Sequence, residues 1–277
     1  MATPRLASLE LRGADGGPLY VDVRTGARPG EARPAVIICH GFKGFKDWGF
    51  FPNVAERLAL AGFTAVTFNF SGSGVTPGSD VVDRLNRWFG QCLSDDLADV
   101  ETVVSHCAAG GAPWIGLVGH SRGGALAILQ AAKDPRVRAL VTWAAVAGFL
   151  RYAPEELAEW RRSGQRDVVN ARTAQVLPMG LRGLDDLEQN AVDSLDVLAA
   201  AARVAVPWLI VHGTADESVP EREAESLERA SGSPLTDRYR IHGAGHTFGA
   251  RHPWAGSTPE LDAAVSRTAR FLGAALG

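Results

Sequence analysis

The chain is poor in cysteine, with three among 277 residues, and it has no excess of basic charge. Three thiols, Cys39, Cys92 and Cys107, allow at most one disulfide. A disulfide framework is thereby excluded, and a reducing, cytoplasmic setting is expected. Lys and Arg total 28 against 31 Asp and Glu, a net charge of −3 with a pI near 6.2. Nucleic-acid partners call for a basic stripe, and membrane anchoring for a polybasic cluster; neither is present. Met1 to Leu11 contains Arg5 and Glu10 and lacks the apolar block of a secretory signal. The longest uncharged stretch runs from Thr102 to Ser121, but Gly110, Gly111 and Pro113 divide it into a helix end and a short strand, so no membrane span is expected. There is no internal repeat or low-complexity segment.

What remains is an ordinary globular balance, 46% hydrophobic and 21% charged, enough for a large core. Residues 6 to 24 hold two alternating segments around Gly13 to Pro18, which predict an antiparallel hairpin at a sheet edge. After Pro34 the pattern changes to continuous apolar runs: Ala35 to Cys39, Ala65 to Phe68, Trp114 to Val118, Ala139 to Trp143 and Trp208 to Val211. Runs without alternation belong to strands covered on both faces, hence to a parallel sheet. Helical patterns lie between them, at Phe50 to Leu60, after a cap at Ser94, and at Ala125 to Ala132, Val219 to Ala230 and Leu261 to Leu276. The fold class expected is α/β, a doubly wound, mostly parallel sheet with an N-terminal hairpin. From Phe149 to Val206 no strand-like run appears. Helices near 154–162, 168–176 and 184–202 predict a short helical cap inserted into a core made of 1–148 and 207–277.

Gly119-His120-Ser121-Arg122-Gly123 follows a buried strand and opens a helix, the context that a G-x-S-x-G nucleophile turn requires. A serine nucleophile needs a base, and the base an orienting acid, in the chain order serine, acid, histidine. Asp216 comes first after the strand ending near Val211, with Glu217 as its competitor. His246 sits in the glycine-flanked loop Gly243-Ala244-Gly245, whereas His242 closes a strand and is expected to be structural; His252 is a third contender. His242 and His246 are four apart, but Gly243 and Gly245 deny them the helix a zinc pair would need, so no metal or cofactor is expected. The backbone N–H groups of Phe42 and Arg122 are candidate donors for a developing oxyanion. Lys43 and Lys46 read as a solvated loop, and Asp185 and Asp186 as helix-start acids. Trp88, Phe89, Trp160 and Met179 are candidates for a substrate pocket. Gly72-Ser73-Gly74 with Gly78 imitates a dinucleotide fingerprint at the wrong spacing.

These motifs, with His40-Gly41-Phe42 and His212-Gly213-Thr214-Ala215-Asp216, resemble the α/β-hydrolase superfamily from about Pro34 onward. The similarity is strongest to the branch holding dienelactone-hydrolase-like proteins, cinnamoyl and feruloyl esterases and serine aminopeptidase-like hydrolases. It implies a serine hydrolase with Ser121, Asp216 and His246 as its triad and a small-molecule ester as substrate. Amidase, aminopeptidase or thioesterase chemistry on the same residues, and a noncatalytic receptor on the same fold, stay open. Dienelactone hydrolases carry cysteine where this chain has Ser121, so their substrate does not transfer. The oligomeric state is not legible.

Overall fold

A computed structural model of the protein describes residues 3–26 and 32–274; the end of the helix expected to reach Leu276 lies outside them. The strands are β1 (Arg5–Arg12), β2 (Pro18–Thr25), β3 (Ala35–Cys39), β4 (Thr64–Phe68), β5 (Ile115–His120), β6 (Val137–Trp143), β7 (Gln165–Asn170), β8 (Gln175–Gly180), β9 (Trp208–Gly213) and β10 (Thr236–Ile241). The helices are α1 (Phe51–Leu60), α2 (Leu85–Phe89), α3 (Leu93–Ala109), α4 (Arg122–Lys133), α5 (Pro154–Ser163), α6 (Leu181–Asn190), α7 (Val197–Ala201), α8 (Arg222–Ala230) and α9 (Pro259–Ala274).

Eight strands form one sheet in the order β1-β2-β4-β3-β5-β6-β9-β10. The first two pairings, β1 with β2 and β2 with β4, are antiparallel, and the rest are parallel. Within the central strands neighbouring residues enter different cores, as a period of two demands. Ile37, Cys39, Leu117 and Ile210 join a core with the buried faces of α3, α4, α7 and α8. Val36, Ile38, Val118 and Leu209 join another with α1 and α9. Both faces are therefore apolar, which is why these strands lack alternation in sequence.

Strand order reverses between β3 and β5: the chain leaves β3 toward β4 on one side and β5 toward β6 on the other. In open α/β sheets the crevice beyond the carboxyl ends of such strands is where ligands bind. Here those ends lead into the 40–48 loop and into Ser121.

The segment between β6 and β9 departs from expectation. Residues 168–176 are not a helix; β7 and β8 pair as an antiparallel hairpin, Gln165 opposite Gly180 through Asn170 opposite Gln175. The Val168-Val169 and Val176-Leu177 pairs suit a pleated surface better than a helix, and the turn between them places Ala174 at φ 55°. The stretch read as one helix over 184–202 is broken into α6 and α7, and Val197, Ala200 and Ala201 of α7 pack into the main core. Only α5, the hairpin and α6 form a separate small cluster, in which Trp160, Leu177, Met179 and Leu184 pack with Trp88 and Phe45.

Two smaller readings also change. Helix α3 is preceded by Cys92 rather than capped by Ser94, and Asp186, in the middle of α6, takes the capping role from outside: it accepts from the Ser94 N–H at 3.0 Å and from the Ser94 hydroxyl. Asp185 pairs with Arg161. Lys46 is buried, not solvated, because Asp22 on β2 presents an inward carboxylate 2.8 Å from its Nζ, with Asp47 at 2.7 Å.

Candidate active site

Ser121 stands between β5 and α4 with φ 56° and ψ −122°, a backbone state that L residues avoid and that a sharp strand-to-helix turn imposes. The glycines around it are required by contact. A Cβ on Gly119 would lie 2.6 Å from Gly124 Cα, one on Gly123 would meet the His40 carbonyl oxygen and lie 2.5 Å from that of Cys39, and one on Gly124 would lie 2.5 Å from Ala145 Cβ. Small residues thus let α4 descend onto β3 and β5, leaving Ser121 at the tip.

Asp216 and His246 come from the loops after β9 and β10. The Asp216 side chain is fully buried, and its Oδ1 accepts from the backbone N–H groups of Ser218 and Val219, both at 2.9 Å. Its Oδ2 accepts from His246 Nδ1 at 2.8 Å. Burial works against ionisation, but the hydrogen bonds from His246 and Val219 outweigh it and hold the carboxyl below the usual range. The proton of His246 therefore sits on Nδ1, leaving Nε2 as a base. The competing residues are elsewhere: Glu217 and His242 are exposed, the latter against the structural role expected of it, and His252 accepts from the Gly49 N–H at 2.9 Å and approaches Asp80 at 3.1 Å.

Three further histidines surround this arrangement. His120 Nε2 meets the His246 carbonyl oxygen at 2.9 Å, fixing the loop that carries His246. His40 Nδ1 donates to the Gly41 carbonyl oxygen at 2.9 Å while its Nε2 accepts from the Phe70 N–H at 3.3 Å, fixing the loop that carries Phe42. Burial drives both rings down to about 3, so each stays neutral. His212 Nε2 donates to the Val219 carbonyl oxygen at 2.8 Å and lies 3.6 Å from Asp216 Oδ2.

Ser121 and His246 line the same cavity of about 520 Å³, although no hydrogen bond yet joins Ser121 Oγ to the ring. Catalytic hydrogen bonds are commonly long without substrate. Among the described residues the N–H groups of Phe42 and Arg122 have no hydrogen-bond partner, so both are free to donate. Trp160 and Met179 line the cavity with Phe149, Tyr152 and Leu187. Trp88 and Phe89 do not. Trp88 lies behind the wall, stacked on Phe42 at 5.4 Å, and Phe89 packs over Gly180, where a Cβ would lie 2.5 Å from its ring.

Arg122 contributes more than an amide. Its guanidinium lies 4.8 Å from the Phe42 ring centroid, donates to Gln91 Oε1 at 3.1 Å and pairs with buried Asp96 at 3.1 Å. Asp96 is pushed up to about 7 by burial, partly offset by Arg122. Neither Asp96 nor Gln91 is legible in sequence, since Asp96 looks like any first-turn acid. The Gly72 to Gly74 loop is packed on Gln91 and held by Asp99, whose carboxylate accepts from the Ser71 N–H at 2.6 Å. Among the described residues no cluster of three or more His, Cys, Asp or Glu could hold a metal, and no helix is long and apolar enough to cross a membrane.

A serine on a strained turn, an ionised acid and a histidine held in one tautomer can together deprotonate a hydroxyl and attack a carbonyl. Comparisons with known proteins bear on the fold that carries these residues. The chain is 26% identical over 243 residues to an uncharacterized 31.7 kDa protein of Escherichia coli, covering 77% of this chain and 83% of that one. It is 29% identical over 224 residues to the mouse protein Serine hydrolase BPHL, covering 75% and 72%. The solved structure of Est1E from Butyrivibrio proteoclasticus, with ferulic acid bound, superimposes with a TM-score of 0.76 at 19% identity over 97% of this chain and 99% of that one. A model of the alpha/beta hydrolase fold matches residues 34–174, half of the chain. With its eight-stranded sheet and strained Ser121 turn, the chain belongs to the α/β hydrolase fold family.

Proposed function

We propose that the protein is a serine-dependent carboxylic ester hydrolase working through an acyl-enzyme. The observation that carries this reading is the Asp216–His246 pair, closed at 2.8 Å, on the cavity that Ser121 enters with φ 56°. Ser121 Oγ attacks the acyl carbon while His246 Nε2 takes its proton. Asp216 keeps Nδ1 protonated and stabilises the imidazolium. The tetrahedral oxyanion is held by the amides of Phe42 and Arg122. Collapse breaks the C–O bond, the alcohol departs with the proton from His246, and water activated by the same ring releases the acid and regenerates Ser121.

The segment formed by α5, the hairpin and α6 acts as a cap over the acyl group. Phe149, Tyr152, Trp160 and Met179 give it an aromatic and polarisable lining suited to an aromatic acyl group. The name of the mouse relative supports a serine hydrolase, and the ferulic acid bound in Est1E supports an aromatic acyl group. Three buried, unpaired thiols fit a reducing compartment such as the cytoplasm. The test is a panel of p-nitrophenyl esters, aminoacyl anilides and acyl thioesters with the wild type and Ser121→Ala. Ester turnover that disappears in the variant supports the reading; retention of more than a few percent of it refutes the role of Ser121. Anilide or thioester turnover exceeding ester turnover moves the assignment to amidase or thioesterase.

A further inference from the structure

A second cavity, of about 250 Å³, opens on the other side of the nucleophile. It shares Phe42, Lys43, Ser121 and His246 with the first and is otherwise lined by residues that include Trp48, Phe51, Asn170 and Arg172. An ester bound at Ser121 has two arms, and two cavities meeting there can receive one each. Both linings combine aromatic side chains with hydrogen-bond donors, Gln91, Arg122 and Arg151 in the larger, Trp48, Asn170 and Arg172 in the smaller, and Lys43 in both.

Four of those donors stand out. Lys43 Nζ lies 3.4 Å from the Val169 carbonyl oxygen and 5.9 Å from the Phe42 ring centroid. Arg172 donates to the Asp80 carbonyl oxygen and lies 5.7 Å from the Phe45 ring centroid. Asn170 is buried, and its Oδ1 is used by the Arg172 N–H at 3.3 Å while its Nδ2 has no partner among the described residues; Trp48 Nε1 has none either. Among the described residues no Asp or Glu lines either cavity, and neither Lys43 nor Arg172 forms an ion pair with a carboxylate. The other two cations at the site are already neutralised, Arg122 by Asp96 and Arg151 by Glu223. Asp80, which acts on Arg172 electrostatically without forming an ion pair with it, has its carboxylate engaged by His252 at 3.1 Å. Burial lowers Arg172 from its ordinary range, and the Asp80 carboxylate offsets part of that.

We infer that the smaller cavity takes an anionic arm of the substrate, a carboxylate or similar oxyanion, held by Lys43 and Arg172 with Asn170 as an additional donor. The inference rests on the ester-hydrolase reading and adds the charge of the substrate to it. Two cations on the wall of one cavity that no carboxylate lines are complementary to an anion, and a planar guanidinium matches a carboxylate in a bidentate fashion. The loop joining β7 and β8 supplies Asn170 and Arg172, so this specificity is built by the hairpin of the insert.

The experiment uses three matched esters: phenyl butyrate, 3-carboxyphenyl butyrate with the charge on the alcohol side, and monophenyl succinate with the charge on the acyl side. Specificity is read as the ratio of kcat/KM, anionic over neutral, in the wild type, Lys43→Gln, Arg172→Gln and Arg172→Lys. One anionic ester is expected to be preferred by at least about tenfold at low salt, and which one assigns the arm. The preference is expected to shrink in both glutamine variants, to persist in part in Arg172→Lys, and to shrink in the wild type as salt rises from about 10 mM to about 500 mM. Hydrolysis of the neutral ester as fast as both anionic ones overturns the inference while leaving the ester-hydrolase reading intact. A wild-type preference that salt leaves unchanged also overturns it. If none of the three esters turns over and Ser121 fails to react with a fluorophosphonate, the ester-hydrolase reading falls and the inference falls with it.

Discussion

Replacing Asp216 by asparagine tests whether the acid works by fixing a tautomer. Its Oδ1 accepts two backbone N–H groups, from Ser218 and Val219, and its Oδ2 accepts one, from His246 Nδ1. An amide has only one oxygen. Turning its NH2 toward the backbone would leave two buried donors facing donors, so the oxygen keeps the backbone contacts and the NH2 faces His246. Nδ1 must then accept, which sends the ring proton to Nε2, the atom that has to receive the Ser121 proton. The shape is preserved and the base is lost. A fall in kcat of about 10⁴-fold, roughly 5.5 kcal/mol in the barrier, is expected, with folding stability changed by only about 1 kcal/mol. Initial rates on a p-nitrophenyl ester together with urea unfolding measure both. A variant that folds normally and retains more than about a tenth of wild-type kcat refutes the argument.

Other outcomes follow from the same contacts. Gly123→Ala places a methyl against the carbonyls of His40 and Cys39, backbone atoms that cannot swing away, and is expected to cost about 1–3 kcal/mol or more in urea unfolding; an unchanged midpoint contradicts the close packing. Asp186→Ala removes the acceptor for the Ser94 N–H and hydroxyl that ties the insert to α3, and a loss of about 1–2 kcal/mol is expected by the same assay, against no change if the tie is idle. Stability against pH carries a further signature. His40 and His120, held near 3, take up protons below about 6.5 only on unfolding, so they lower stability as pH falls; Asp96 and Asp99, raised to about 7 and about 6, bind protons first in the folded chain and oppose that trend. Between about pH 6 and pH 4 the two effects cancel in the wild type, whereas Asp96→Asn is expected to lose about 1.4 kcal/mol per pH unit over that window. Parallel pH profiles for the two proteins would show that Asp96 is not a raised acid.

Much of the layout is local chemistry and so is readable along the chain. The central strands announce themselves as uninterrupted apolar runs because both faces are covered, and Ser121 is bracketed by glycines that its turn needs for contact reasons. Asp216 and His246 stand in loops directly after their strands. The insert is less legible. Burial alternates along β7, but the apolar Val169 and Val176 stand on the open side at 60% and 57% exposure, so the sequence does not show the alternation, and the two strands pair with each other rather than with the main sheet. The support around the site is set by long-range proximity: Asp95 pairs with Arg182 and its neighbour Asp96, buried, with Arg122, and His120 looks like the variable position of its motif until its ring meets the His246 carbonyl. Trp88 illustrates the converse, an aromatic whose composition suggests a pocket and whose place is one layer behind it.

The central claim is that Ser121 is an activated nucleophile. Mass spectrometry after exposure to a fluorophosphonate, on the wild type and Ser121→Ala, measures that directly. A single covalent adduct on the peptide carrying Ser121, absent from the variant, is the result expected. An unmodified wild-type protein, or an adduct that persists in Ser121→Ala, would contradict it.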